Sequence, residues 1–383
     1  MNSIVDFLRS TMLIERLFGV GAYVLALGYF YNQIRCSKDS RKIEKYLNHY
    51  LIVLCILAFF YVPGASADLS RWRAMAEPWK NADLMWFLEN RVIVSTVPAG
   101  YLLVFLCQKT GIDGILPMFC AAGFFGNVFH MMKCESKREN VNSDSVAVTL
   151  LFVMSTGVFL EVISGVRCML ALSIVIRCAY DEMRMQKGVV RHIPLYIVAV
   201  LLHTAATPLI AICFMCMIFE KKRNTILTFL NVIFVALCAL MAVALGSDYI
   251  DAAFDKAMSY TSHNVYSYVW EYLIAGIGFV LILTTIHNLK IRYPDKWREL
   301  KPSIRFLSAI IAYALIFFNV YSICQRFFSV CLICAIPVVM QFFSCEYACN
   351  RGKTRRNTII ILMVVLLIAC TRGNLCGYKF FVF

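Results

Sequence analysis

Apolar runs of about 18 residues or more recur along the whole 383-residue chain, parted only by short basic or aromatic turns. A helical run of that length is what a bilayer core of ~30 Å demands. No polar stretch between the runs is long enough to fold as a soluble domain. Composition agrees: 61% of residues are hydrophobic and 16% charged, with a mean hydropathy of +0.71. Soluble domains lie closer to half apolar with about a quarter charged. The chain therefore reads as an all-α polytopic membrane protein, with residues 1–383 forming a single transmembrane domain.

The net charge of +14 fits basic loops held on the cytoplasmic side better than a nucleic-acid partner, and none is expected. The 17 cysteines are scattered through apolar segments. The spacings Cys213/Cys216 and Cys331/Cys334 fall on apolar helices and read as small packing residues. Leu13 to Tyr31 is long enough to span and lacks a small-residue cleavage site, so it is expected to be a membrane helix and not a cleaved signal.

Loop charges set the orientation. After a first span near Thr11–Gln33, Arg35, Lys38, Arg41, Lys42 and Lys45 mark a cytoplasmic loop, which puts the N-terminus outside. His49–Pro63 returns to an outer segment at about 64–91. Val92–Cys107, interrupted by Pro98-Ala99-Gly100, is expected to be a re-entrant or membrane-surface helix. Further spans follow at Gly114–Met132, Ser145–Ile163 and Val166–Met183. His192–Glu220 is read as two short helices meeting near His203–Pro208, because Ile193–Leu202 covers only ~15 Å. Spans at Asn224–Leu245 and Glu271–Asn288 flank a second outer segment at about 246–270. Phe306–Ile323, Phe327–Ser344 and Thr358–Cys370 complete about ten transmembrane helices. In this arrangement 24 of the 37 Lys and Arg fall in cytoplasmic loops and nine outside.

Two residues break the apolar pattern. Arg167 and His203 sit inside segments that otherwise look like spans, where an ionisable group is costly and usually faces a watery cavity on a substrate path. Arg326, preceded by Gln325, is expected at the outer end of a later span. Snorkelling to headgroups is the plain alternative for both arginines. Phosphate binding is the sharper one, since a guanidinium fork matches phosphate oxygens bidentately. In the outer segments, Asp68, Arg71, Trp72, Arg73, Trp79 and Trp86 suit either an interfacial belt or a rim that holds sugars and anions. Asp248 suits a solvated loop or carbohydrate contact equally.

The run Ser164-Gly165-Val166-Arg167-Cys168-Met-Leu-Ala171, a basic turn, and Leu202-His203-Thr204-Ala-Ala together resemble the EpsG-like branch of the Wzy-type polysaccharide polymerases. Pro98-Ala99-Gly100-Tyr101 resembles that family's "Glu-Pro-Gly-Tyr" element. Cys168 stands where the family has glutamine. Asp68, Arg71 and Arg73 loosely match an early Arg/Asp/Tyr cluster, and Gln325-Arg326-Phe-Phe resembles a late "Arg-x-x-Tyr/Phe" element. The resemblance implies about ten transmembrane helices plus one or two re-entrant or interfacial helices around an outward-facing cavity, in a bacterial cytoplasmic membrane.

It also implies glycosyl transfer from a polyprenyl-pyrophosphate-linked glycan, with membrane lipids around it and a chain-length regulator and a flippase as further partners. Arg167, with Arg71 and Arg326, would stabilise the departing pyrophosphate. His203, Asp68 or Asp248 would accept the hydroxyl proton, and Arg73, Trp72 and Gln325 would contact substrate. No cofactor or metal is expected, since metal-ligand spacings, a paired-aspartate motif and a glycine-rich phosphate loop are all missing from the sequence. The competing readings are a lipid-linked glycan flippase or transporter, and a membrane acyltransferase.

Overall fold

The computed structural model describes residues 2–64, 67–138, 141–218, 268–349, 352–372 and 379–380. It is about 84% helical. Helix α1 spans Asn2–Arg35 and α2 spans Ser40–Phe59, the latter opened by Asp39, whose side chain accepts the Arg41 N–H. Such an N-cap satisfies one of the four donors a helix start leaves unpaired. Short elements follow: α3 (Asp68–Ala76), a 3-10 turn, α4 (Leu84–Phe87) and α5 (Pro98–Lys109), which Pro98 starts at no cost in hydrogen bonds. Twelve residues of α5 rise only ~18 Å. It is too short to cross, in keeping with the re-entrant or surface reading of 92–107.

Helix α6 (Ile115–Ser136) is long and apolar enough to cross a membrane. The stretch expected as one span over Ser145–Ile163 is instead bent by 53° between α7 (Ser143–Met154) and α8 (Val158–Ser164). Gly157 supplies the bend by taking φ +83°, a left-handed conformation that a side chain disfavours. Helix α9 (Val166–Met183) keeps the bounds read from the sequence, although Arg167, Arg177, Asp181 and Glu182 make it too charged to count as a plain apolar span. Helices α10 (Ile193–Leu202) and α11 (Ala206–Ile218) are the two expected short helices, parted at His203.

Helix α12 (Val269–Arg292) crosses in length and hydropathy, and so does α16 (Gly352–Thr371). Between them, α13 (Pro294–Ile316) takes up most of the basic stretch that the sequence suggested was a loop. Helices α14 (Tyr321–Cys334) and α15 (Ile336–Ala348) are bent by 45° beside Pro337, which has no N–H to continue the ladder. Gln325 and Arg326 lie within the first turns of α14. Among the described residues, three helices qualify as membrane spans, or five with the two bent pairs. The chain is thus an all-α membrane protein. The expected span at Asn224–Leu245, the Lys221–Arg223 cluster and most of the outer segment 246–270 lie outside the described residues.

The interior is built on an aromatic spine through α1, α2, α6 and α8. Tyr23 stacks on Phe159 at 5.2 Å, Phe30 packs on Tyr50 at 4.9 Å, and Tyr50 continues to Phe129 at 5.8 Å. The Tyr23 hydroxyl donates to the Met154 carbonyl, 2.6 Å away, where α7 ends. Each buried ring of this kind removes 150–250 Å² from lipid or water and sets the spacing of its neighbours.

One end of the bundle is laced by ion pairs. Asp144 meets Arg35 at 3.4 Å and Arg355 at 2.7 Å. Glu135, on a fully buried side chain, meets Arg184 at 2.9 Å, and Arg184 reaches Glu299 at 2.7 Å. Lys137 pairs with Glu44 at 3.0 Å, and Arg292 with Glu346 at 3.1 Å. The basic stretches near 35–45, 133–138, 184–191, 290–305 and 352–356 therefore gather on one side, as the loop charges require. The first turn of chain beyond α2 is joined to the far end of the sequence: Tyr61–Val62 pairs antiparallel with Lys379–Phe380.

Candidate functional site

Opposite the ion-paired end, the break between α8 and α9 organises a second polar region. The Gly165 N–H bonds back to the Glu161 carbonyl at 2.8 Å, closing α8, and Val166 restarts the helix. Arg167 is set in the first turn of the new helix and is only 8% exposed. No carboxylate salt-bridges it among the described residues. Its Cζ lies 3.5 Å from the centre of the Trp72 ring and 5.8 Å from that of Tyr101. Nε and Nη1 are buried without a hydrogen-bond partner.

Stacking on the indole uses the face of the guanidinium, while its hydrogen bonds lie in its plane. The arrangement holds the cation in place and keeps in-plane donors for another group. Leaving buried donors unmade costs roughly 1–3 kcal/mol each, a cost that a native site carries where a ligand or water completes it.

The aromatic seat is itself braced. Trp72 meets Tyr101 edge to face at 5.5 Å, Tyr101 lies 5.8 Å from Trp79, and Trp79 packs on Phe87 at 5.0 Å. Tyr101 follows Gly100, and the glycine explains how the parts meet. A Cβ at position 100 would lie 2.6 Å from the Leu202 carbonyl oxygen and 2.8 Å from Arg167 Nη1. Only a residue without a side chain lets the start of α5 touch the end of α10 and the arginine together. The three stretches singled out in the sequence, 98–101, 164–171 and 201–206, are in this way brought to one place.

His203 caps α10 in an extended conformation, φ −162° and ψ 130°. Its Nδ1 accepts the Ala205 N–H at 3.1 Å. A ring nitrogen that accepts a backbone N–H carries no proton, so the neutral imidazole holds its proton on Nε2 and presents a donor there.

Asp68 and Arg71 form an exposed pair at 3.2 Å within one turn of α3, with Asp68 close enough to act electrostatically on Arg167. Arg73 turns away from the cluster, donating to the Asp113 carbonyl at 2.8 Å. Burial lowers the proton affinity of its guanidinium, a shift that leaves the group charged at neutral pH. Gln325 donates from Nε2 to Glu161 Oε1 at 2.7 Å, tying α14 to α8. Arg326 lies near enough for its charge to reach Glu161 and Cys168. Asp248 lies outside the described residues.

Two members of the cluster carry no role in the sequence reading: Gly100 and Glu161. Gly100 was legible as part of a motif but not as a contact. Glu161 is a lone carboxylate in an apolar run six residues before Arg167, and that isolation was its signal. Among the described residues, no group of three or more His, Cys, Asp or Glu side chains could hold a metal ion.

A guanidinium seated on aromatic rings near a helix break, at one end of a helical membrane bundle, is an arrangement able to hold an anion. The profile of the EpsG family matches residues 89–378, well over half the chain, and the protein belongs to the EpsG family. That membership connects it with polysaccharide biosynthesis at a membrane. Searches of curated proteins and of solved structures returned no significant match.

Proposed function

We propose that the protein is a polysaccharide polymerase that joins polyprenyl-pyrophosphate-linked repeat units on the outer side of the bacterial cytoplasmic membrane, by glycosyl transfer without a metal. The observation that carries the reading is Arg167: buried, stacked on Trp72, and with two nitrogens open to an anion. Pyrophosphate is the leaving group when a lipid-linked chain is transferred, and a preorganised cation in a low-dielectric site stabilises the charge that develops on it. One such donor is worth about 10²–10³ in rate.

Arg71 and Arg326 add positive field at the margins of the site, and His203 offers Nε2–H to a phosphate or sugar oxygen. Asp68 faces the same anion pocket, and Trp72 with Gln325 completes the wall next to the substrate. In this reading the ion-paired end faces the cytoplasm by the positive-inside rule, which turns the Arg167 end outward. Ten spans and an outward-opening cavity complete the picture, with Asp248 on its rim. A flippase and a chain-length regulator supply the repeat unit and set the stopping point.

The test is polymer length in cells whose own copy of the protein is replaced by variants. Arg167→Ala and His203→Ala are expected to abolish long chains while single repeat units still accumulate. Arg167→Lys is expected to be severely impaired too, because an ammonium lacks the planar fork. Wild-type chain lengths in Arg167→Ala and His203→Ala would falsify the assignment.

A further inference from the structure

Resting on that polymerase reading, we propose that the N-termini of α5 and α9 form, with Arg167 between them, a two-point clamp that takes both phosphates of a diphosphate ester. The arginine supplies one anionic contact. The two helix ends supply the rest.

The start of each helix is bare. A helix leaves the N–H groups of its first turn without partners inside the helix, and its aligned peptide dipoles put about half a positive charge there. A Ser, Thr, Asp or Asn side chain commonly answers that need. Here α2 is capped by Asp39, α4 by Asp83 and α7 by Asn142. Helix α5 follows Val97 and α9 follows Gly165, and neither start has a side-chain cap or an acidic residue in its first turn. In α5 the Gly100 and Tyr101 N–H groups share the Val97 carbonyl, at 3.0 and 3.2 Å. Pro98 has no N–H to offer, and among the described residues the Ala99 N–H is left without an acceptor.

The two bare ends meet. A Cβ at Gly100 would lie 2.8 Å from Arg167 Nη1 and 3.1 Å from its Cδ, so the first turn of α5 touches the first turn of α9 through this side chain. A cation is the wrong charge for a helix start, and this one is pressed against a second such start. The guanidinium is more than nine-tenths buried, with Nε and Nη1 unpartnered. Asp68 acts on it without forming an ion pair to it and is itself paired with Arg71. The Leu202 carbonyl, at the end of α10, lies against Gly100 and brings partial negative charge, but neither buried nitrogen bonds to it.

Three positive features thus converge, roughly +2 in all. A diphosphate that links a lipid to a glycan carries one negative charge on each phosphate, and the two helix starts give two points at which N–H groups can receive them. Gly100 then has a second use: the absence of a side chain lets the α5 backbone come as close to the ligand as the guanidinium does.

The experiment measures binding of inorganic pyrophosphate and inorganic phosphate to the purified protein and to Val97→Asp and Val97→Asn, with thermal midpoints alongside. The parent is expected to bind pyrophosphate at least about tenfold more tightly than phosphate. Val97→Asp puts a carboxylate on the α5 start, which suits the helix and occupies the clamp. Its midpoint is expected to match or exceed the parent's, while its pyrophosphate affinity falls about tenfold. Val97→Asn caps the same turn without charge and is expected to stay within about threefold of the parent. A plain capping effect raises the midpoint of both variants and moves neither affinity. Equal pyrophosphate affinity in the Asp and Asn variants overturns the proposal. So does a parent that binds phosphate as tightly as pyrophosphate, a comparison that needs no variant to fold. Normal chain lengths in cells carrying Arg167→Ala count against the polymerase reading instead, so the two failures are told apart.

Discussion

The two ends of the helix bundle treat buried arginines in opposite ways. At the ion-paired end, Arg184 reaches the carboxylates of Glu135 and Glu299, and Tyr180 and Gln341 donate to the same Glu135. At the other end, Arg167 is about as deeply buried, yet it rests on the face of an indole with two nitrogens unmatched. A charge brought into low dielectric is stable when its partners travel with it, and replacing such a pair leaves the survivor stranded. The first end therefore reads as fastening. In the proposed function, the second holds a charge whose partner arrives with the substrate.

Substitutions at three positions test that contrast. The largest expected effect is at the fastening end: Arg184→Ala removes the buried partner of Glu135, leaving it only the more exposed Arg138 at 3.2 Å as a cation, and is expected to destabilise the protein by about 3 kcal/mol, read as a fall in thermal midpoint in detergent. Pyrophosphate binding by whatever fraction remains folded is expected to be unchanged. If Arg184→Ala leaves the midpoint alone, the end is not fastened by that network.

Gly100→Ala comes next. Its methyl meets the Leu202 carbonyl and Arg167 Nη1, and overpacking of this kind costs about 1–3 kcal/mol. Here the strain falls on the site, so polymer formation is expected to drop by more than stability does. Equal losses in both would reduce Gly100 to a packing residue. Trp72→Ala removes a cation–π contact worth roughly 0.5–2 kcal/mol and is expected to weaken pyrophosphate binding, while Trp72→Phe keeps most of it. Equal binding by the two would mean that the ring does not seat the arginine.

Much of this contrast could be read in the sequence, and the reasons are specific. The charged loops announced their common side because Lys and Arg cluster between apolar runs. Val166–Met183 could be bounded because Gly165 precedes it and a basic turn follows. The break at His203 followed from Ile193–Leu202 being too short to cross. The bend at Gly157 stayed hidden, since a small residue in an apolar run looks the same whether φ is negative or positive. The basic stretch around Lys296–Arg305 looked like loop because charge was weighed over helix propensity, yet Pro294 starts α13 there. Trp72 suited either an interfacial belt or a rim for sugars, and the contact that claims its ring face is made by a residue 95 positions later. Long-range partners of that sort leave no local pattern. Glu161 was passed over for the same reason, its amide partner being 164 positions away.

The seat of Arg167 has a consequence for how a ligand must arrive. With the indole 3.5 Å beneath it, the guanidinium cannot be approached from that face. An incoming anion has to slide in along the plane of the cation, as a card enters a slot. A head group tethered to a lipid moves at nearly constant height above the acyl chains, and a sideways slot suits that kind of traffic better than an upright well.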